Sequence, residues 1–240
     1  MVTLARGKQL TGSFRQPPRK EKLLVEGLAR QLERETKYVP TTPFAADAVH
    51  GFGILGVFSR GKKKEERELA LEFFRTALRG GTLLDLGAGA GPSVYAMAGF
   101  AATCGVSGYV AVDKYAGYSP ALERALKKHI RSEHPESSMG IELVPDDMLR
   151  HLAYRADGSA NVLLNGVDGC VIPREGNRRY LSTLIRQIAR VVPHFGIAFG
   201  TNSPFLGALS KFGFLKITNL PGHGEISEIP GFKESLLVKP

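Results

Sequence analysis

The sequence predicts a doubly wound α/β protein, and three observations carry that expectation. Short apolar runs alternate with stretches of helical spacing from about residue 62 to the end. The first of these runs, Leu83 to Leu86, is closed by glycines at 87, 89 and 91. Polar residues stand just past the later runs, at Asp113, Asp147 and Asn165. Strands alternating with helices give a largely parallel sheet with helices on both faces. Such sheets bind ligands beyond the carboxyl ends of their strands, near the switch in strand order.

The elements follow in order. Residues 1–19 mix Arg6, Lys8, Arg15 and Arg19 with Gly7, Gly12, Pro17 and Pro18, and read as a poorly ordered arm. Residues 20–35 read as a helix with Leu24, Leu28 and Leu32 on one face, supported by Glu26 and Arg30 at i,i+4. Residues 45–58 are apolar but broken by Gly51, Gly53 and Gly56. They form either a flap over a ligand or, the favoured reading, a packed loop. A helix then runs from the basic cluster at 60–64 to Arg79, with Leu69, Phe73 and Ala77 on one face and Ala70, Phe74 and Leu78 widening it. Gly80-Gly81 ends it.

The apolar run at 83–86 reads as a buried strand and the spacing of Val94, Met97, Ala98 and Ala101 as the next helix, to about Cys104. The glycines between them occupy a strand-to-helix turn, where backbone can approach a ligand without a Cβ in the way. The helix start offers unpaired N–H groups and the positive end of its dipole. Tyr109 to Asp113 reads as a second strand, ending in an acid 22 residues beyond Gly91. Ser119-Pro120 is an N-cap and N1 pair opening a helix through Leu122, Leu126 and Ile130. Further strands are expected at 141–144, 161–164, 195–199, 214–217 and 235–238, with helices at about 177–192 and from Ser203 to near Gly213.

Composition bounds the functional classes. The chain has 240 residues, 43% hydrophobic and 23% charged, which are globular values. No run approaches the ~18 apolar residues of a membrane span, and Met1 to Arg6 shows no secretory pattern. Cys104 and Cys170 fit no zinc spacing and read as unpaired thiols of a cytoplasmic protein. Residues 1–80 hold 16 Lys/Arg against 9 Asp/Glu, and residues 81–240 hold 16 against 14, so most of the +9 net charge lies ahead of the glycine turn. That asymmetry suits an acidic partner such as nucleic acid, or a merely soluble basic surface. The division expected is a basic extension at 1–60, a possible substrate-binding lid, and a ligand-binding domain at 61–240.

The glycine spacing separates related folds. The dinucleotide fingerprint is G-x-G-x-x-G, and here Pro92 stands where its third glycine belongs. No Gly-Lys-Ser/Thr follows, so the phosphate loop is excluded. The run Leu84-Asp85-Leu86-Gly87-Ala88-Gly89-Ala90-Gly91 resembles the first motif of class I S-adenosylmethionine-dependent methyltransferases, and the order of elements over residues 62–240 is similar to that family's fold. The resemblance implies a Rossmann-like, seven-stranded, mostly parallel sheet whose last strand inserts antiparallel, with helices on both faces and an N-terminal helical extension. It implies S-adenosylmethionine as cofactor. Gly87, Ala88, Gly89 and Gly91 then approach its methionyl and ribose part, and Asp85 holds the turn or meets its amino group. Asp113 accepts from the ribose hydroxyls. Asp147 accepts from the adenine amino group, with adjacent Asp146 as the less favoured choice. Asn165 lines the cofactor or the transfer point.

The departures restrict the acceptor. Asn161 opens the fourth strand where the family often has Asp, and no Pro-Pro-aromatic follows it. Cys170, in Gly-Cys-Val, is a poor match for the nucleophile of cytosine-C5 chemistry. Asp168 alone makes no acid cluster, so no metal is expected. His129 and His134 read as solvated. The resemblance thus implies a methyltransferase acting on a small molecule or RNA, with no catalytic residue identified. The alternatives are a methyltransferase-like protein that binds without catalysis and an NAD(P)-dependent oxidoreductase.

Overall fold

Apolar runs of four or five residues bounded by glycine or serine hide both faces only as central strands. In the computed structural model, which describes residues 64–89, 92–114, 116–164, 177–200, 204–220, 224–225 and 236–240, the runs at 83–86, 109–112, 161–164 and 197–200 do so. The strands are β1 Thr82–Leu86, β2 Gly108–Val112, β3 Gly140–Val144, β4 Asn161–Leu164, β5 Ile197–Gly200, β6 Leu215–Lys216, β7 Asn219–Leu220, β8 Gly224–Glu225 and β9 Leu236–Val238. The α-helices are α1 Lys64–Leu78, α2 Pro92–Thr103, α3 Pro120–Glu133, α4 Met148–Tyr154 and α5 Asn177–Val191, and Pro204–Phe212 is a 3-10 helix. The readings at 1–60, Gly91, Asn165, Asp168 and Cys170 lie outside the described residues.

The sheet has seven strands in the order β3-β2-β1-β4-β5-β9-β6. β1 to β5 pair parallel, and β9 inserts antiparallel between β5 and β6. This is a Rossmann-like sheet with the last strand reversed. Strand order turns at β1, with β2 on one side and β4 on the other, so the crevice opens beyond Leu86.

Each face is covered by its own layer. Leu83, Tyr109, Leu163 and Phe199 share an apolar cluster with Phe74 of α1, Met97 of α2 and Leu126 of α3. Leu84, Val110, Val162 and Ala198 share the other with Leu149 of α4, Leu184 and Ile188 of α5, and Leu209. Phe74 is wholly buried, its ring centroid 5.4 Å from Phe100 and 5.7 Å from Phe199. Burying a side chain of that size contributes roughly 1.5–3 kcal/mol. The core stripe of α1 is Ala70, Phe74 and Leu78, whereas Leu69 is 53% exposed. The true stripe is therefore the one expected only to widen the face.

Other differences have local causes. β5 begins at Ile197 rather than Phe195, because Phe195 has φ +62° and Gly196 N–H closes a turn onto Pro193 O. α4 was not expected. It forms because the Asp147 side chain caps it and Leu149, Leu152 and Ala153 bury one face. The segment expected as a helix from Ser203 winds as a 3-10 helix over its described residues. The β7–β8 pair was also not anticipated.

Long cationic side chains close the helix ends away from the crevice. Arg190 donates to Leu152 O at 2.7 Å and Arg155 O at 2.8 Å, satisfying carbonyls at the end of α4. Lys239 Nζ does the same for α5, donating to Ala189 O and Val192 O at 2.8 Å each. β3 is one of the sheet's two edge strands, and Glu123 of α3 accepts from Leu143 N–H at 3.1 Å, partly covering that edge. Among the described residues no helix is long and apolar enough to cross a membrane.

Candidate functional site

Register brings the expected residues to one edge. Leu86 pairs with Val112 and with Leu164, and Val112 pairs with Val144. Gly87, Asp113 and the Asp146-Asp147 pair therefore leave adjacent strands at the same end of the sheet. Asn165 and Gly91 lie outside the described residues.

The glycine turn is stitched to the end of β2. Gly87 N–H and Ala88 N–H both donate to Val112 O, at 2.8 and 3.3 Å. Gly87 and Gly89 have φ +71° and +69°, a region that costs other L-residues about 1–2 kcal/mol. Gly89 N–H donates to Asp113 Oδ2 at 2.9 Å, and Gly89 O accepts from the Tyr118 hydroxyl at 2.6 Å. Ser93 Oγ, in the first turn of α2, donates to Ala88 O at 2.9 Å. A Cβ placed on Gly89 meets no atom within 4 Å, so the space over it is open among the described residues.

Asp85 lies beneath the turn and is fully buried. Its Oδ2 accepts from the Tyr109 hydroxyl at 2.7 Å, a strand-to-strand bond under the glycines. Burial first, then the Asp85 charge, pushes the Tyr109 phenol far above its ordinary range, so it stays a donor. Tyr118 is raised too, first by burial and then by the Asp85 and Asp113 charges.

Asp147 is the N-cap of α4. Its Oδ1 accepts from Leu149 N–H at 3.0 Å and Arg150 N–H at 3.2 Å, while Oδ2 accepts from the Tyr180 hydroxyl at 3.1 Å. Burial raises its pKa, opposed by these bonds and by the Lys114 charge. Asp146 is engaged by the Arg150 guanidinium. Asp147 thus accepts from neutral donors within the field of Lys114, whereas Asp146 is paired with the Arg150 cation of α4.

The remaining polar residues of interest sit elsewhere. Asn161 is 4% exposed at the opposite end of β4, where Oδ1 accepts from Ile197 N–H at 2.8 Å. It joins β4 to β5, so the departure from Asp there bears on packing rather than on the crevice. His129 stacks edge-on against Tyr95 and His134 caps the end of α3. Cys104 is a free, buried thiol whose pKa burial lifts to about 12, unsuited to nucleophilic work. Among the described residues no group of three or more His, Cys, Asp or Glu side chains is placed to hold a metal ion.

The arrangement offers carboxylate acceptors on successive strand ends around a turn whose backbone is open to approach. That suits a ligand presenting hydroxyl and amino donors. Reasoning from the sequence missed Tyr109, Tyr118 and Tyr180, whose hydroxyls hold the site together. Compared with protein-family models and with curated proteins, the chain gives no match.

Proposed function

We propose that this chain is an S-adenosylmethionine-dependent methyltransferase. The observation that carries the reading is the Asp113 carboxylate: it leaves β2 at the crevice and grips the glycine turn through Gly89 N–H at 2.9 Å, where the space over Gly89 is open among the described residues. The reversed strand between β5 and β6 supports it, since the resemblance of the sequence to class I methyltransferases implies that insertion.

The residues present fit the cofactor. The turn at 87–89 gives the methionyl and ribose part a surface with no side chain within 4 Å of a Cβ placed on Gly89 among the described residues. Asp113, fixed at one oxygen by the Gly89 amide, accepts from the two ribose hydroxyls. Asp147 serves as acceptor for the adenine amino group, its orientation set by the α4 cap and Tyr180. Asp85, whose Oδ2 accepts from the Tyr109 hydroxyl, holds the turn or meets the cofactor's amino group. When bound, the cofactor supplies an already activated methyl group on a sulfonium. The protein's task is then to align the acceptor with that methyl and exclude water.

The acceptor is a small molecule or a structured RNA, the latter favoured by the basic residues ahead of the turn. Calorimetric titration of the folded chain with S-adenosylhomocysteine tests the core of the reading: saturable one-site binding supports it, and no heat refutes it. Incubation with a cofactor labelled in its methyl group, against total RNA and a small-molecule extract in parallel, then assigns the acceptor by the fraction that takes up label.

A further inference from the structure

We propose that Tyr118 is a positioning residue for the glycine turn, clamping Gly89 together with Asp113 so that the ligand hollow keeps its shape. This rests on the methyltransferase reading for its ligand, but the clamp itself is a feature of the free protein. Gly89 is held from both sides of its residue: its N–H by Asp113 Oδ2 at 2.9 Å and its carbonyl by the Tyr118 hydroxyl at 2.6 Å. Its φ of +69° is one of several that glycine adopts freely, so the two bonds, not the residue's own preference, fix it there.

Tyr118 is itself anchored. It immediately precedes Ser119, whose side chain accepts from Leu122 N–H at 3.2 Å and caps α3. The β2–α3 loop therefore brings both clamp members, Asp113 from the strand end and Tyr118 from the helix start. The phenol lies within the field of the Asp85 and Asp113 carboxylates and half-buried, so it donates and does not accept as an anion. Tyr109 differs: its bond goes to a side chain under the turn, not to the turn's backbone. Removing the Tyr118 hydroxyl leaves the ring to pack but frees the Gly89 carbonyl to rotate. The hollow then has to be re-formed each time ligand binds, which weakens binding without unfolding the domain.

The test is Tyr118→Phe in the full chain, with Tyr95→Phe as control. S-adenosylhomocysteine affinity falls about five- to tenfold in Tyr118→Phe, the range one hydrogen bond commands, while the melting temperature falls by about 2–6 °C and the domain stays folded. Hydrogen exchange at the Gly89 amide of the unliganded protein accelerates about threefold or more. With Asp113→Asn, the double variant loses less than the product of the single losses, because both act through Gly89. Unchanged affinity and exchange, or strictly multiplicative losses, overturn the proposal. If the parent chain binds no S-adenosylhomocysteine, the methyltransferase reading fails while the exchange result still judges the clamp. If Tyr118→Phe does not fold, the parent decides: a slowly exchanging Tyr118 hydroxyl proton by NMR supports the clamp, and a rapidly exchanging one overturns it.

Discussion

Gly89 has φ +69°, and a Cβ built there meets no atom within 4 Å. Gly89→Ala therefore creates no clash within the described protein and costs only the left-handed backbone, about 1–2 kcal/mol. For a domain of this size that lowers the melting temperature by about 2–8 °C. The new methyl, however, stands where a ligand has to approach the turn. Forcing a methyl into a contact surface costs about 1–3 kcal/mol, or roughly five- to 150-fold in Kd. Gly80→Ala is the matched control. Gly80 has φ +71° and equally open space, but it precedes β1 at the opposite end of the sheet, its N–H bonded to Gly105 O. Both variants lose similar stability by thermal melting. Only Gly89→Ala loses affinity for S-adenosylhomocysteine by calorimetry. Equal affinities in the two variants, or equal losses, refute the placement of the ligand over Gly89.

Asp147→Asn keeps a capping oxygen and melts within about 2 °C of the parent, whereas Asp147→Ala loses about 0.5–2 kcal/mol of stability, measured by urea unfolding. Both weaken S-adenosylhomocysteine binding, because neither retains the carboxylate. Asn161→Ala leaves the Ile197 N–H unpaired and costs about 1–3 kcal/mol while ligand affinity is unchanged, a combination that places the residue in the fold alone. His151 is held neutral, its pKa lowered to about 4 by burial and then by Arg155, whose Nε donates to its Nε2 at 3.0 Å. The unfolded chain binds the proton first, so stability is lost as pH falls from about 6.5 toward 4. Discounted for partial exposure, the loss is about 1–2 kcal/mol. Urea unfolding at pH 7 and pH 5 shows it, and His151→Gln flattens the difference.

The sheet was legible because its strands are short apolar runs fenced by Gly, Ser or Asn. Val162 to Leu164 could be nothing but a strand with two covered faces. The shared edge of Gly87, Asp113 and Asp147 was legible for the same reason: parallel strands all end on one side. What stayed hidden has physical causes. α4 is only seven residues long, although Asp147 followed by Leu149, Leu152 and Ala153 carried its cap and stripe. Phe195 enters the left-handed region against its own preference, its N–H bonded to Lys239 O far along the chain, so local sequence gave no sign of it. Tyr109 and Tyr118 matter through the tip of a long side chain, reaching Asp85 across 24 residues and Gly89 across 29. Spacing along a chain does not report such reach. Asn161 was read as opening its strand, and it does; the bond from Ile197 N–H to its side chain was hidden because the partner lies 36 residues along the chain.

The most direct measurement is an amide-resolved NMR titration of the labelled chain with S-adenosylhomocysteine. Saturable shifts at Gly87, Ala88, Gly89, Asp113 and Asp147, with Gly80 and Asn161 unmoved, are the expected result. Saturation with shifts gathered away from those five amides, or no binding at all, contradicts the account.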